Sequence, residues 1–161
     1  MTNPAEANQP RDRAAVAFHP PALLLVCIVG GFIERLLIQA PFLPPDLVQP
    51  IGLPIVALAF VVFGWAVVTM RRHGASIPTH TATDAIVAEG PFRISRNPIY
   101  LSMMLLLVGI GCWANSIWFL LWTVLAVVLL TVFVIKPEER YLEGKLDERY
   151  LRYKRQVRRW I

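Results

Sequence analysis

The chain has 161 residues, 56% of them hydrophobic and 17% charged, whereas a soluble domain is roughly 45–50% apolar and about 25% charged. This composition excludes a disordered chain, a collagen-like chain and an ordinary water-soluble globule, and the length predicts one domain. Sixteen Lys and Arg residues outnumber eleven Asp and Glu residues, and nine of the sixteen lie in the last 26 residues, directly after a long hydrophobic run. A basic segment in that position favours an anionic membrane surface over nucleic acid as its partner.

The N-terminal part of the chain predicts a polar tail followed by two membrane spans. Residues 1–18 form the tail, and residues 19–70 contain both spans. The first span runs from about Pro21 to Phe42. The second runs from Ile51 to Met70, and as a helix it is about 30 Å long, which matches a hydrocarbon core. Glu34-Arg35 lies within the first span, either near the membrane interface or against a neighbouring helix, or else as a buried functional pair.

A second hydrophobic region extends from Asn97 to Ile135 without one charged residue. As a single helix it would be about 58 Å long, nearly twice the thickness of the hydrocarbon, so it predicts a hairpin of two spans. The break is expected at Cys112–Ser116, because Asn115 and Ser116 supply turn and N-cap chemistry. The sequence therefore predicts an all-α integral membrane protein with four transmembrane helices.

Residues 71–97 form a long connection between the second and third spans. Loops of that length are usually functional or disordered. Asn97 and Pro98 are expected to begin the third span, because asparagine is a good N-cap and proline is favoured in the first helical turn. Arg96 and Asn97 therefore lie at a helix N-terminus, which is suited to anionic groups.

A C-terminal amphipathic helix at the membrane interface is predicted after the fourth span. Its apolar and aromatic residues recur at spacings of mostly three and four: Tyr141, Leu142, Leu146, Tyr150, Tyr153 and Val157. Glu138 and Glu139 follow Pro137 directly. From composition alone they are expected to cap the start of this helix, where acids complement the helix dipole.

The basic residues also predict the orientation in the membrane. The N-terminal tail, the 71–97 connection and the C-terminal segment carry the basic residues, whereas the short loops near 41–50 and 113–116 carry none. By the positive-inside rule, both termini and the long connection lie in the cytoplasm. We therefore expect a multi-pass protein of the inner (cytoplasmic) membrane.

Two motifs separated by the hydrophobic hairpin carry a family resemblance. The first is Gly90–Tyr100, with the sequence GPFRISRNPIY, and the second is Pro137–Leu142, with the sequence PEERYL, followed by two tyrosines. Together they resemble the isoprenylcysteine carboxyl methyltransferase and phospholipid methyltransferase superfamily of integral membrane enzymes. The resemblance covers about residues 74–160 and implies a methyltransferase core over residues 71–161. It also implies S-adenosyl-L-methionine as the cofactor and a lipophilic small molecule or lipid as the acceptor.

The resemblance implies a cofactor site in three pieces: a loop, the start of the third span and the acidic pair. The cofactor-binding residues that it implies are Asp84, Ala85, Ile86, Val87, Phe92, Asn97, Pro98, Ile99, Tyr100, Glu138 and Glu139. The catalytic residue is not identified, and the candidates are Arg96, Asn97 and Arg140. A Gly-x-Gly pattern of the phospholipid branch could match Gly109–Gly111, although small residues also serve helix packing in membranes. No metal site is expected, because the three histidines share no ligand spacing.

Four positions depart from the family's pattern. Asn97 stands where the eukaryotic carboxyl methyltransferases have histidine, Phe92 replaces a tyrosine, and Asp84 replaces a histidine. Val134, four residues before Glu138, stands where the isoprenylcysteine enzymes place an arginine linked to substrate. An apolar residue cannot hold a carboxylate as an arginine can. An apolar or lipid-like acceptor from the bilayer is therefore expected in place of prenylated cysteine.

Three classes of function remain open from the sequence. The leading one is a membrane methyltransferase, isoprenylcysteine carboxyl methyltransferase-like, with phospholipid N-methylation as its alternative. The second is a non-catalytic four-span binding or scaffold protein. A channel or transporter component is disfavoured, because apart from Glu34 and Arg35 the spans contain no charge that would mark an ion path. The expected partners are membrane lipids and not nucleic acid, and the oligomeric state is left open.

Overall fold

The computed structural model describes residues 19–73 and 87–161. Over these ranges the chain is helical and has no strand, which confirms the predicted all-α class. The helices are α1 (Pro20–Leu37), α2 (Pro45–Arg72), α3 (Pro98–Trp113), α4 (Ile117–Leu130) and α5 (Lys136–Gln156). A short 3-10 helix covers Gly90–Arg93, and a π-helical segment, Thr131–Ile135, joins α4 to α5 without a break.

Three helices are long and apolar enough to cross a membrane: α1, α2 and the continuous helix Ile117–Gln156. The apolar part of that continuous helix ends at Ile135, and charged residues follow. Helix α3 is also apolar, but its 16 residues span only about 24 Å, less than a hydrocarbon core of about 30 Å. Large side chains such as Leu36 and Phe60 are exposed on α1 and α2. Such surfaces are typical of helices that face lipid.

The predicted helical hairpin is confirmed at its predicted position. Helix α3 ends at Trp113 and α4 begins at Ile117. Asn115 makes the turn with a φ of 48°, in the left-handed region that asparagine tolerates better than most residues. Ser116 occupies the N-cap position of α4, but its hydroxyl makes no capping hydrogen bond, so the expected role of this side chain is wrong.

Asn115 also fastens the hairpin turn to the loop between α1 and α2. Its Oδ1 atom accepts hydrogen bonds from the backbone N–H groups of Phe42 and Leu43, at 3.0 and 2.9 Å. Its Nδ2 atom donates to the carbonyl oxygen of Leu43 at 2.9 Å. The two short loops therefore form one hydrogen-bonded end of the molecule.

Glu34 and Arg35 reinforce the same end from α1. Arg35 Nε donates to the carbonyl oxygen of Ala114, and Trp122 Nε1 donates to Glu34 Oε2, both at 2.8 Å. Arg35 is exposed and Glu34 is half-buried. These contacts favour the interpretation that the two charges face neighbouring elements, over that of a buried functional pair.

Helices α2 and α3 pack closely because glycine allows their backbones to approach. A Cβ atom at Gly109 would lie 2.8 Å from the backbone nitrogen of Val56 in α2, whereas one at Gly111 would lie 2.8 Å from the side chain of Phe119 in α4. Both glycines of the Gly-x-Gly pattern are therefore used in helix packing, which was the alternative to a role in cofactor binding.

The last helix folds back on itself at Asp147. The backbone there has a φ of 42° and a ψ of −125°, outside the helical range. Glu143 and Lys154 form an ion pair although they are eleven residues apart, which in a straight helix would separate them by about 16 Å. The predicted C-terminal amphipathic helix is therefore present but bent at Asp147. Its apolar residues pack on one another across the bend: Leu142, Leu146, Tyr150, Tyr153 and Val157.

Candidate functional site

The start of α3 and the start of α5 bring the two sequence motifs together. Tyr100, in the first turn of α3, is 3% exposed, and Glu138, in the first turn of α5, is 7% exposed. Tyr100 Oη donates a hydrogen bond to Glu138 Oε1 at 3.0 Å across 38 residues of sequence. Glu138 of the second motif is thus hydrogen-bonded to Tyr100 of the first motif, and both were predicted to be site residues.

The second acid, Glu139, is buried between two arginines. Arg159 Nε and Nη2 donate to its two carboxylate oxygens at 2.9 and 2.8 Å, and Arg96 Nη1 lies 3.0 Å from Oε1. Burial alone raises the pKa of Glu139. The hydrogen bond from Arg159 and the charges of Arg96, Arg159 and Lys154 outweigh that effect and hold the pKa below its usual range. Glu139 is therefore ionised at neutral pH.

The guanidinium group of Arg96 is buried and only partly satisfied. Its side chain is 8% exposed. The Nη1 atom is close to Glu139 without the direction of a hydrogen bond, and within residues 19–73 and 87–161 neither Nη1 nor Nε has an acceptor. A buried N–H group without an acceptor is costly. These two donors are therefore well placed to receive an anionic group from a ligand.

Two tyrosines from the folded-back half of α5 complete the surroundings of Arg96. Tyr153 Oη donates to the carbonyl oxygen of Phe92 at 2.7 Å, and both Tyr150 and Tyr153 are buried. Burial raises the pKa of Tyr150 to about 12, and the negative charge of Glu139 adds to the rise, whereas the charge of Arg96 and a hydrogen bond from Arg96 oppose it. Burial also raises the pKa of Tyr153. Both hydroxyl groups are therefore neutral at physiological pH.

Asn97 precedes α3 as predicted, but its side chain does not cap the helix. The Nδ2 atom donates instead to the carbonyl oxygen of Arg159 at 3.0 Å. Pro98 is buried in the first turn, and Ile99 beside it is half-buried. The predicted helix boundary is confirmed, whereas the amide group holds the segment that follows α5.

The capping interpretation of the acidic pair is wrong. The π-helical segment Thr131–Ile135 runs directly into α5, so the first turn of α5 is the interior of a longer helix. Proline inside a helix lacks one backbone hydrogen bond, and the π-helical widening lies just before Pro137. Glu138 and Glu139 therefore have no free helix end to cap, and they pair with side chains instead.

The remaining residues predicted for the site do not all lie near Glu138 and Glu139. Asp84–Ile86 lies outside the described residues, while Val87 and Phe92 are half-buried near the 3-10 helix. Of the three catalytic candidates, Arg96 lies next to Glu139, Asn97 contacts the carbonyl oxygen of Arg159, and Arg140 is exposed at the surface. Val134 is fully buried in the main core.

Comparison with known proteins assigns the chain to a family. A family model described as phospholipid methyltransferase matches residues 48–149, which is more than half of the chain. The chain belongs to the phospholipid methyltransferase family. It is also similar to an uncharacterized protein of Haemophilus influenzae (strain Rd), with 36% identity over 63 residues that cover 39% of this chain and all of that protein. No solved structure matches the chain.

One residue of this phospholipid methyltransferase family member was missed by the sequence analysis. Arg159 donates hydrogen bonds from Nε and Nη2 to the two carboxylate oxygens of Glu139. It lies after the segment that the family model matches. It is one of nine basic residues in the last 26. Charge density alone cannot separate an arginine that faces a buried carboxylate from one that faces solvent.

Proposed function

We propose that this protein is a membrane-embedded methyltransferase that transfers a methyl group from S-adenosylmethionine to a lipophilic acceptor. The observation that carries the proposal is the buried meeting of the two motifs, Tyr100 with Glu138 and Arg96 with Glu139. All four residues lie within the segment that matches the phospholipid methyltransferase model. Membership of this family supports a methyltransferase activity, and the geometry supports the location of the site.

The residues of the site fit the chemistry of the cofactor. S-adenosylmethionine carries a carboxylate, an ammonium group and ribose hydroxyls. The two buried Arg96 donors without acceptors suit a carboxylate, and the buried Glu138 carboxylate suits a hydroxyl or ammonium group. When bound, the cofactor supplies a methyl group on a positively charged sulfur. The task of the chain is then to bind and orient, because an acceptor held in line at about 3 Å can gain most of its rate from positioning.

The acceptor is proposed to be apolar or lipid-like and to come from the bilayer. Val134, one turn before Glu138, is buried and apolar, so it offers no positive charge to the carboxylate of a prenylated cysteine. The description of the matched family, phospholipid methyltransferase, favours a phospholipid as a second candidate acceptor, and its amine is the group that we propose would be methylated. An amine must lose a proton to react, whereas a carboxylate or thiolate need not.

The proposed topology places the site at the cytoplasmic surface. Helix α3 is then a short fourth span, and the hydrogen-bonded end around Asn115 faces outward. Basic residues such as Arg71, Arg72 and Arg93 lie at the end of the helices that holds Tyr100 and Glu138. This distribution follows the positive-inside rule. A cofactor from the cytosol and an acceptor from the bilayer would meet there.

Calorimetric titration of S-adenosylmethionine into the detergent-purified protein tests the first part of this proposal. We expect Glu138→Gln to weaken binding by about ten- to a hundredfold, the cost of a charge-assisted hydrogen bond. The exposed Glu148→Gln is the matched control and should bind as the wild type does. If the wild type did not bind S-adenosylmethionine, the proposed methyltransferase function would be wrong.

Methyl transfer from labelled cofactor into a total lipid extract tests the second part. A labelled phospholipid would identify an amine acceptor, and a labelled neutral lipid would identify another lipophilic acceptor. Cofactor binding without transfer to the lipid extract, or to a prenylated cysteine analogue, would support a non-catalytic binding protein instead.

A further inference from the structure

The segment Val157–Ile161, here called the strap, follows α5 and lies against the residues that precede α3. Its backbone carbonyl groups accept three hydrogen bonds, from Arg96 N at 3.0 Å, from Asn97 Nδ2 at 3.0 Å and from Ser95 Oγ at 3.3 Å. Val157 at one end of the strap is buried, and Trp160 near the other end packs on the main core. The strap is therefore fixed by polar and apolar contacts together.

Arg159 connects the strap to both halves of the site. Its carbonyl oxygen holds the Asn97 amide, and its guanidinium group holds both oxygens of Glu139. A bidentate arginine–carboxylate pair is the strongest and most directional of such contacts. It also raises the pKa of Arg159, so the positive charge is permanent.

The two arginines around Glu139 are not equivalent. Arg159 forms hydrogen bonds with both carboxylate oxygens, whereas Arg96 is 3.0 Å away without hydrogen-bond direction. If Arg159 were absent, the buried charge of Glu139 would need a new partner, and Arg96 is the nearest cation. Arg96 would then turn its donors to Glu139 and away from a ligand.

We propose that Arg159 is a positioning residue that keeps the Arg96 guanidinium available to an anionic group of the bound ligand by occupying both oxygens of Glu139. This inference rests on the proposed function. The anionic group is either the carboxylate of the cofactor or the phosphate of a lipid acceptor. Arg159 and the rest of the strap lie after residues 48–149, the segment that the family model matches. The proposed role of Arg159 is therefore an addition to the residues that the family model covers.

The test compares Arg159→Gln with a matched control and a double variant. Arg158→Gln is the control, because that side chain is exposed and the variant keeps the backbone carbonyl that Arg96 N contacts. We expect Arg159→Gln to weaken binding of the anionic ligand by about tenfold or more, and the control to remain within about twofold of the wild type. Thermal unfolding in detergent identifies the variants that are folded.

The double variant Glu139→Gln/Arg159→Gln separates positioning from simple anchoring. Without the charge of Glu139, Arg96 no longer has a carboxylate that competes with the ligand, so ligand binding should recover relative to Arg159→Gln alone. A strap that only stabilised the fold would make the double variant bind as weakly as the single variant, or more weakly. That result, or unchanged binding in Arg159→Gln, would overturn the inference.

The Kd for the cofactor and the KM for the lipid acceptor identify the anionic group that Arg96 binds. Cofactor binding by the wild type separates a failure of this inference from a failure of the proposed function. A higher Kd for S-adenosylmethionine in Arg159→Gln assigns the cofactor carboxylate to Arg96. A higher KM for the lipid acceptor with an unchanged cofactor Kd assigns a lipid phosphate. Normal cofactor binding and turnover in every variant overturns the role of Arg159 alone, whereas absence of cofactor binding by the wild type overturns the function and this inference together.

Discussion

Tyr100 and Glu138 form a buried hydrogen bond of 3.0 Å that joins the first turn of α3 to the first turn of α5. A hydrogen bond between a buried hydroxyl and a carboxylate contributes about 1.5–3 kcal/mol net. The bond therefore fixes the orientation of one carboxylate oxygen of Glu138 with respect to α3.

Replacing Tyr100 by phenylalanine tests the contribution of this bond. The ring and its packing remain, so the change removes only the hydroxyl donor. We expect a loss of about 1–3 kcal/mol in the free energy of unfolding, together with weaker cofactor binding because Glu138 loses the contact with Tyr100 that orients it. Thermal unfolding and calorimetric titration measure the two effects. An unchanged melting temperature and an unchanged Kd would show that the bond has no role.

The contact between Asn97 and the strap predicts a local effect of Asn97→Ala. The variant loses the donor to the Arg159 carbonyl oxygen, at a cost of about 1 kcal/mol. Hydrogen exchange followed by mass spectrometry should show faster exchange in peptides over residues 92–100 and 150–161. Peptides from α1 serve as the internal control. Equal exchange in the wild type and the variant would contradict a contribution of the amide to holding the strap.

The low pKa of Glu139 predicts a stability that depends on pH. A carboxyl group whose pKa in the folded state is lower than its ordinary value of 4.5 stabilises the fold above that value. This stabilisation is lost as the pH falls through the lower pKa of the folded state. Glu139→Gln should therefore melt below the wild type near neutral pH, and the difference should narrow below about 4.5. A difference that stays constant in acid would exclude this linkage.

The close approach of α2 and α3 predicts that Gly109→Ala is destabilising. The new methyl group would meet the α2 backbone at 2.8 Å, and overpacking of this kind costs about 1–3 kcal/mol. Gly64→Ala is the matched control, because a Cβ atom there meets nothing within 4 Å and alanine favours the helix. Melting temperatures in detergent should fall for the first variant and stay level or rise for the second. A similar response of both would argue against close helix packing at Gly109.

The predicted orientation can be tested by reporter fusions. A reporter attached after Ile161 and one inserted near residue 44 should give opposite signals, cytoplasmic for the first and external for the second. The positive-inside rule is the physical basis of this expectation. The same signal from both positions would mean an even number of crossings between them, and it would contradict the prediction that α2, α3 and α4 each span the membrane.

Local signals in the sequence were sufficient for the helical class and for the hairpin between α3 and α4. Asn115 and Ser116 mark a turn within an otherwise apolar run, and no distant contact is needed to locate it. The bend at Asp147 could not be predicted in this way. The apolar spacing from Leu142 to Tyr153 is the same whether the helix lies flat on a membrane or folds back on itself.

The ion pair between Glu139 and Arg159 could not be predicted from sequence patterns either. Pro137 followed by two acids is a common start of a helix, and the pattern does not reveal that the helix already continues from α4. The partner of Glu139 is Arg159, 20 residues further along, and only the reversal at Asp147 brings the two together. Resemblance to the family predicted that the acids are site residues, whereas their partners depend on the tertiary fold.

Glu138 and Glu139 lie on the continuous helix Ile117–Gln156, whose apolar part is long enough to cross a membrane. From Ile117 to the bend at Asp147 the helix is uninterrupted, and its earlier turns expose Val124 and Val128. Spanning helices adjust their tilt to the thickness of the bilayer. A change of tilt in this helix would move Glu138 with respect to Tyr100, which is carried by a different helix. A host membrane with longer or shorter acyl chains is therefore expected to change the distance between Glu138 and Tyr100.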